Sequence, residues 1–110
     1  ARYFDWQGMA REEFFNKVVP EPNFLLKENI KLVTIEAQIK YFKEALLFDE
    51  VQIEAIPCSV KITTFELLFK FVKVSNNELI AEGRQKIGFT KNNKVIRIPI
   101  EILKSGREYI

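Results

Sequence analysis

The sequence predicts an α+β domain spanning residues 1–110, in which a curved antiparallel sheet wraps one long helix. Three observations carry that reading. Apolar residues recur at helical spacing from Arg2 to Val19, and the run stops at Pro20 and Pro22, which cannot continue a helix. Downstream, apolar residues alternate with a period of two. Asparagine pairs at 76–77 and 92–93 punctuate the alternating segments as turns do.

Taken in order, "TIEAQIKY" puts Ile35, Ala37, Ile39 and Tyr41 on one face of a half-buried strand. Thr34, Glu36, Gln38 and Lys40 fall on the other. "VQIEAIPCSVKI" starts in one phase with Val51, Ile53 and Ala55, then continues in the opposite phase with Ile56, Cys58, Val60 and Ile62. A change of face beside Pro57 predicts a bulge or bend in an edge or strongly curved strand. "FELLFKFVKV" aligns Phe65, Leu67, Phe69 and Phe71, with Leu68, Val72 and Val74 partly covering the opposite face. After Asn76 and Asn77, "LIAEGRQKIGF" returns with Leu79, Ala81, Ile87 and Phe89 in register, and Asn92 and Asn93 lead into "KVIRIPI". The expectation is one long helix, then four or five antiparallel strands.

Composition excludes several chemistries. Seventeen basic and fifteen acidic side chains leave +2, and the basic residues are scattered, so nucleic acid and anionic membrane are poor partners. No apolar run approaches the ~20 residues of a membrane span, and no secretory signal pattern is present. Cys58 has no second cysteine to pair with, which predicts a reducing, cytoplasmic setting. With no histidine, Ser-His-Asp and Cys-His nucleophilic systems and His-ligated zinc are ruled out. One cysteine cannot form a thiolate metal site, and the four glycines form no phosphate loop. No metal or organic cofactor is expected. Catalysis would have to use carboxylates, Arg, Lys, Tyr, backbone amides or water.

The helix carries the one anomaly of patterning. At ~100° per residue, Tyr3, Phe4, Trp6, Ala10, Phe14, Phe15, Val18 and Val19 form a broad apolar arc, with Glu12, Glu13, Asn16 and Lys17 mainly outside it. Gln7 and Arg11 fall near its centre, in a row with Tyr3 at i, i+4 and i+8. Gly8 lies toward the same arc, where the absence of a side chain lets a backbone or ligand approach. Burying an arginine costs several kcal/mol unless it is paired. Three accounts fit the row: an ion pair with Glu44, Asp49 or another sheet carboxylate, a guanidinium reaching to water, or a ligand carbonyl or oxyanion as shared partner.

"RYFDWQGMAREEFF" resembles the helix of the hot-dog thioesterases of enediyne-type polyketide biosynthesis, a branch of the 4-hydroxybenzoyl-CoA thioesterase-like superfamily. The shared pattern is "YF-x-WQG-x-x-RE-x-F", matched by Tyr3, Phe4, Trp6, Gln7, Gly8, Arg11, Glu12 and Phe14. "YFKEALLFDEV" (Tyr41 to Val51), "FKFVKV" (Phe69 to Val74) and "AEGRQKIGF" (Ala81 to Phe89) extend the similarity over nearly the whole chain.

The resemblance implies a hot-dog fold, a long central helix wrapped by a curved antiparallel sheet, assembled as a homodimer or homotetramer through the sheet. It implies hydrolysis of an acyl thioester carried on acyl carrier protein or CoA. Arg11 and Tyr3 would be catalytic donors to the oxyanion, and Gln7 and Gly8 would contact or position the substrate. Phe42 and Phe48 are candidate walls of an acyl tunnel. Hot-dog thioesterases also have a strand and a loop before the helix, and in this branch the loop supplies an active-site asparagine. Because Ala1 opens almost directly on the helix, that first strand is expected to be missing from this chain, which keeps a non-catalytic acyl-pantetheine-binding or scaffold hot-dog as the alternative. Hot-dog dehydratases fit poorly, since they use a histidine.

Other residues have plainer readings. Glu12 and Glu13 are expected to be solvated. Glu44 and Asp49 border an interstrand loop and are expected to cap a turn, with orienting the site or meeting a carrier protein the functional alternative. Arg84, Lys86 and Lys91 suit a solvated strand face, with contact to a carrier protein's phosphopantetheine or acidic helices the functional alternative, and Cys58 suits a small buried position.

Overall fold

The computed structural model describes residues 3–46 and 48–109. Helix α1 (Tyr3–Val18) is followed by a single turn, α2 (Phe24–Lys27), and by strands β1 (Ile30–Tyr41), β2 (Val51–Val60), β3 (Thr64–Lys73), β4 (Glu78–Lys91) and β5 (Lys94–Ile96). Helix α3 (Ile100–Arg107) closes the described chain. The expected helix start at Arg2 lies outside the described residues. Its expected end at Val19 falls one residue beyond the observed one, just before the prolines.

The sheet is antiparallel, in the order β1-β4-β3-β2, with β5 pairing β4. β2, β3, β4 and β5 form a meander, whereas β1 pairs with β4 and so returns to the far edge. The tight turn at Asn92 and Asn93 fits its sequence. Both residues have positive φ (53° and 63°) and connect the paired residues Lys91 and Lys94, the two-residue arrangement that asparagine tolerates.

"KVIRIPI" behaves differently from its predicted strand. Only Lys94–Ile96 pairs. Pro99 then stands at the N-cap of α3, an element its short, mixed pattern did not disclose. Gly106 lets α3 lie against the sheet, because a β-carbon there would overlap the Phe65 ring.

The core lies between α1 and the concave face of the sheet. Phe65, Leu67, Phe69 and Phe71 of β3 are fully buried in it, as their alternation predicts. Phe15 meets Phe65 and Phe89 edge-on, with ring centroids 5.1 and 5.9 Å apart. Most of the ten phenylalanines are core residues; Phe4, Phe42 and Phe48 are exposed. Glu12, Glu13, Asn16 and Lys17 face solvent, but Phe4 does so too, against its expected place in the arc.

Bulges set which residues reach the helix. In β2 the register slips between Pro57 and Ser59, on an edge strand, as the change of phase at Pro57 predicts. Cys58, at this bulge, is half-buried rather than buried, its thiol 3.6 Å from the Glu66 carbonyl. In β4 a slip opposite Phe71 and Val72 inserts Ile80. Ile80 and Ala81 are both buried, while Leu79 is turned out.

In β1 the slip lies between Thr34 and Glu36 and overturns the predicted faces. Val33 and Ile35 pack over Gly88 on the outer side of the sheet, so Thr34 points to the helix, opposite to its expected side. Beyond the bulge the phase is as expected: Ile39 packs on the core, and Tyr41 meets Tyr3. β1 is less buried than predicted because it is an edge strand whose outer face and free edge are uncovered by the described residues; Ile35 and Tyr41 are 51% and 56% exposed.

Candidate active site

The row read from helical periodicity runs along the inward residues of β4. Four helical residues rise about 6 Å and two strand residues about 6.8 Å, so successive turns of α1 meet successive inward positions of the strand. Gln7 stands over Gly83 and Arg11 over Gln85. Tyr3, one turn earlier, packs against Phe71, which pairs with Ala81. The polar residues of the helix thus meet a glycine and a glutamine on the strand.

Gln7 is fully buried, and neither its amide nitrogen nor its amide oxygen has a partner among the described residues. Its side chain occupies space that only a glycine at position 83 leaves open, since a β-carbon there would overlap the amide oxygen. Each unmet buried polar group costs about 1–3 kcal/mol. Such a cost in the middle of a core points to a group held for something outside it.

Arg11 is half-buried. Its Nη1 donates to Thr34 Oγ1 at 2.7 Å and to Gln85 Oε1 at 3.3 Å, while its buried Nε has no partner among the described residues. Among the described residues no carboxylate pairs with it, so the expected ion pair with Glu44 or Asp49 is not formed. Asp49 instead accepts from the Leu46 backbone N–H and pairs with Lys73 at 3.4 Å, the turn-capping role expected of it. Those contacts hold the Asp49 carboxyl below its ordinary pKa, the backbone hydrogen bond most strongly. Burial lowers the Arg11 pKa, and neighbouring Glu12 partly opposes that. The guanidinium nevertheless stays charged at any physiological pH. It is a cation held by two neutral oxygens.

Tyr3 belongs to a different part of the site. It is buried among Trp6, Tyr41 and Phe71, with ring centroids 5.2, 4.9 and 5.2 Å away, all edge-on. Together with Trp6, Tyr41 and Phe42 it lines a cavity of about 710 Å³ whose far wall is the loop after β1, including Glu44 and Leu46. That loop is tied down: the Phe42 and Lys43 N–H groups both donate to the Ile80 carbonyl at the β4 bulge, and Lys43 pairs with Glu78 at 2.8 Å. Burial, and next the neighbouring Tyr41, push the Tyr3 pKa up, which keeps its phenol protonated and a hydrogen-bond donor.

The sequence-derived candidates are therefore divided. Tyr3 and Phe42 share the cavity, whereas Gln7 and Arg11 sit further along the helix against β4 and β1. Phe48 is 95% exposed and is not among the residues lining that cavity. Gly8 faces open space, with nothing among the described residues within 4 Å of a β-carbon placed on it, so no described backbone uses the approach it offers. Arg84 and Lys91 are exposed and Lys86 half-buried, in keeping with a strand face in water. No group of acidic or cysteine side chains among the described residues is arranged to hold a metal.

Two residues of the row's surroundings escaped the sequence reading. Gln85 is 5% exposed and accepts from Arg11, yet its signal was present: it shares the parity of Ala81, Ile87 and Phe89 and so had to face the core. Thr34 was assigned to the wrong face because nothing in "LVTIEAQ" marks a bulge.

Comparison with known proteins fixes the lineage. The sequence profile of the thioesterase-like superfamily matches residues 1–105. A search of curated protein sequences finds no match. Among solved structures, the dynemicin thioesterase, known from work on polyene binding, superposes with a TM-score of 0.87 at 24% identity, over 98% of this chain and 81% of that one. A gentisyl-coenzyme A thioesterase gives 0.84 at 24% identity, over 96% and 82%. A Staphylococcus aureus protein in complex with CoA gives 0.90 at 14% identity, over 99% and 70%. At these identities the likenesses speak for the fold, a hot-dog helix in a curved antiparallel sheet, as expected. No helix among the described residues is long and apolar enough to cross a membrane. With nearly its whole length matched by the family profile, the chain belongs to the thioesterase-like superfamily and is, by family, a thioester hydrolase.

Proposed function

We propose that this protein hydrolyses acyl thioesters of the polyketide or fatty-acyl type, presented on CoA or on the phosphopantetheine arm of an acyl carrier protein, and that it works as a homodimer or homotetramer. The observation that carries the reading is the Arg11 guanidinium, held in place by the neutral oxygens of Thr34 and Gln85, with no carboxylate among the described residues paired to it. A thioester carbonyl becomes an oxyanion when water adds to its carbon, and a fixed, partly desolvated cation stabilises that charge more than it stabilises the neutral carbonyl.

In the proposed reaction, water forms the new C–O bond and the carbonyl oxygen takes up negative charge beside Arg11. The C–S bond then breaks as the carbonyl re-forms. Of the water's two protons, one ends on the departing sulfur and the other passes to solvent, giving a free carboxylate and a thiol. Gln7 holds the reacting carbonyl or positions Arg11, with its unpartnered amide in support. Tyr3 stands two turns from Arg11, about 12 Å along the axis. The reading therefore gives it a donor role at the cavity end of an elongated substrate, with Phe42 as apolar wall. The aromatic lining supports an apolar or polyunsaturated acyl chain there.

Incubation of the protein with a series of acyl-CoA and acyl-carrier substrates, followed by quantification of free thiol and free acid, tests the proposal. The expected result is stoichiometric release of both. Tight binding of acyl-pantetheine without turnover would replace the reading with that of an acyl-binding or scaffold protein.

A further inference from the structure

We infer that Gln85 is a positioning residue whose neutral amide oxygen aims the Arg11 guanidinium at the reacting carbonyl without neutralising it. The inference rests on the proposed thioester hydrolysis. Gln85 lies on β4 and Thr34 on β1, so Arg11 Nη1 is held between two strands of the sheet while its Nε remains unpartnered. Two acceptors on one nitrogen fix the plane of a guanidinium, which has no rotational freedom of its own beyond the side-chain torsions. A carboxylate at either position would hold Arg11 more tightly but would pair its charge. An apolar side chain would leave it mobile. A glutamine that is itself buried, facing the core at a position where Ile87 and Phe89 continue in apolar form, satisfies both requirements.

The nearest alternative is that Gln85 merely gives a buried arginine something to bond to. Gln85→Met, which keeps the length and removes the acceptor, and Gln85→Glu, which keeps the shape and adds a charge, separate the two. Melting temperature reports whether each variant folds. The Nε–Hε correlation of Arg11, assigned by its loss in Arg11→Lys, reports whether the guanidinium is fixed, independently of any activity.

In Gln85→Met this signal is expected to move to the averaged position of a solvent-exposed arginine. kcat is expected to fall about 10- to 100-fold, the scale of a misplaced catalytic group, with KM changed by less than about threefold. In Gln85→Glu the signal stays fixed while kcat falls similarly. On an Arg11→Ala background neither substitution lowers kcat further. An unmoved Arg11 signal in folded Gln85→Met, an unchanged kcat in either folded variant, or an additive loss on Arg11→Ala overturns the inference. If Gln85→Met does not fold, the kcat of Gln85→Glu decides. A wild-type protein without turnover would refute the proposed hydrolysis, and the Arg11 signal would still report whether Gln85 positions the guanidinium.

Discussion

Gln7 of α1 occupies the space that Gly83 of β4 leaves by having no side chain. Gly83 does not have positive φ, so the backbone there would accept alanine, and the glycine is required by its neighbour rather than by its own conformation. Gly83→Ala is therefore expected to destabilise by about 1–3 kcal/mol, the usual cost of overpacking, despite alanine's better strand propensity. Thermal or urea denaturation measures it. Adding Gln7→Ala to Gly83→Ala should recover part of the loss, since the overlap then disappears.

Gln7 itself should show the opposite balance of stability and function. Its amide is buried without partners, so Gln7→Leu removes two unmet polar groups while keeping most of the volume. Stability is expected to be unchanged or to rise by about 1–2 kcal/mol, because a buried polar group without partners is costly to retain. Thioester turnover is expected to fall at the same time. A variant that loses both stability and activity would make Gln7 a structural residue.

How much of this was legible in the sequence follows from the period of each element. The helix repeat placed Gln7 and Arg11 at the centre of a buried face, where the structure has them, and strand alternation identified Phe65, Leu67, Phe69 and Phe71 as core. The same parity extended through Gly83 and Gln85 and would have exposed their link to the helix. Thr34 was beyond reach, because a bulge at Ile35 shifts the phase and leaves no compositional mark, unlike the one beside Pro57. Helix α3 was hidden for a related reason: the strand ends at Ile96 and Pro99 opens a helix three residues on, and the apolar residues on either side suit both. The division of the site between a cavity at Tyr3 and a polar row at Gln7 and Arg11 depended on the loop after β1, whose position is set by hydrogen bonds to Ile80 rather than by pattern.

Alkaline stability should report the environment of Tyr3. Its folded pKa is raised by burial, and next by Tyr41, above the ordinary ~10. A raised pKa means that its stabilising contribution is fully present below the unfolded value and is lost as pH rises through the folded value. Unfolding free energy is expected to fall above about pH 10, and the Tyr3→Phe variant should fall less steeply over that range. Equal slopes for the two proteins would show that Tyr3 does not titrate differently on folding.

The seating of α3 rests on Gly106 in the same way that the Gln7 row rests on Gly83. Helix propensity favours alanine over glycine by about 1 kcal/mol. A β-carbon at Gly106 would nevertheless overlap the fully buried Phe65 ring, which cannot turn aside within its packed surroundings. Gly106→Ala is expected to lower the melting temperature, and an increase would show that the Phe65 ring is free to move.

The central claim is that the Arg11 guanidinium, bonded to neutral oxygens and paired with no carboxylate among the described residues, stabilises the oxyanion of thioester hydrolysis. Steady-state turnover of an acyl thioester by wild-type protein and by folded Arg11→Ala, compared under identical conditions, tests it most directly. The expected result is a fall in kcat of roughly 10²- to 10³-fold, the scale for removing one oxyanion donor. Equal turnover by the two proteins would contradict the account.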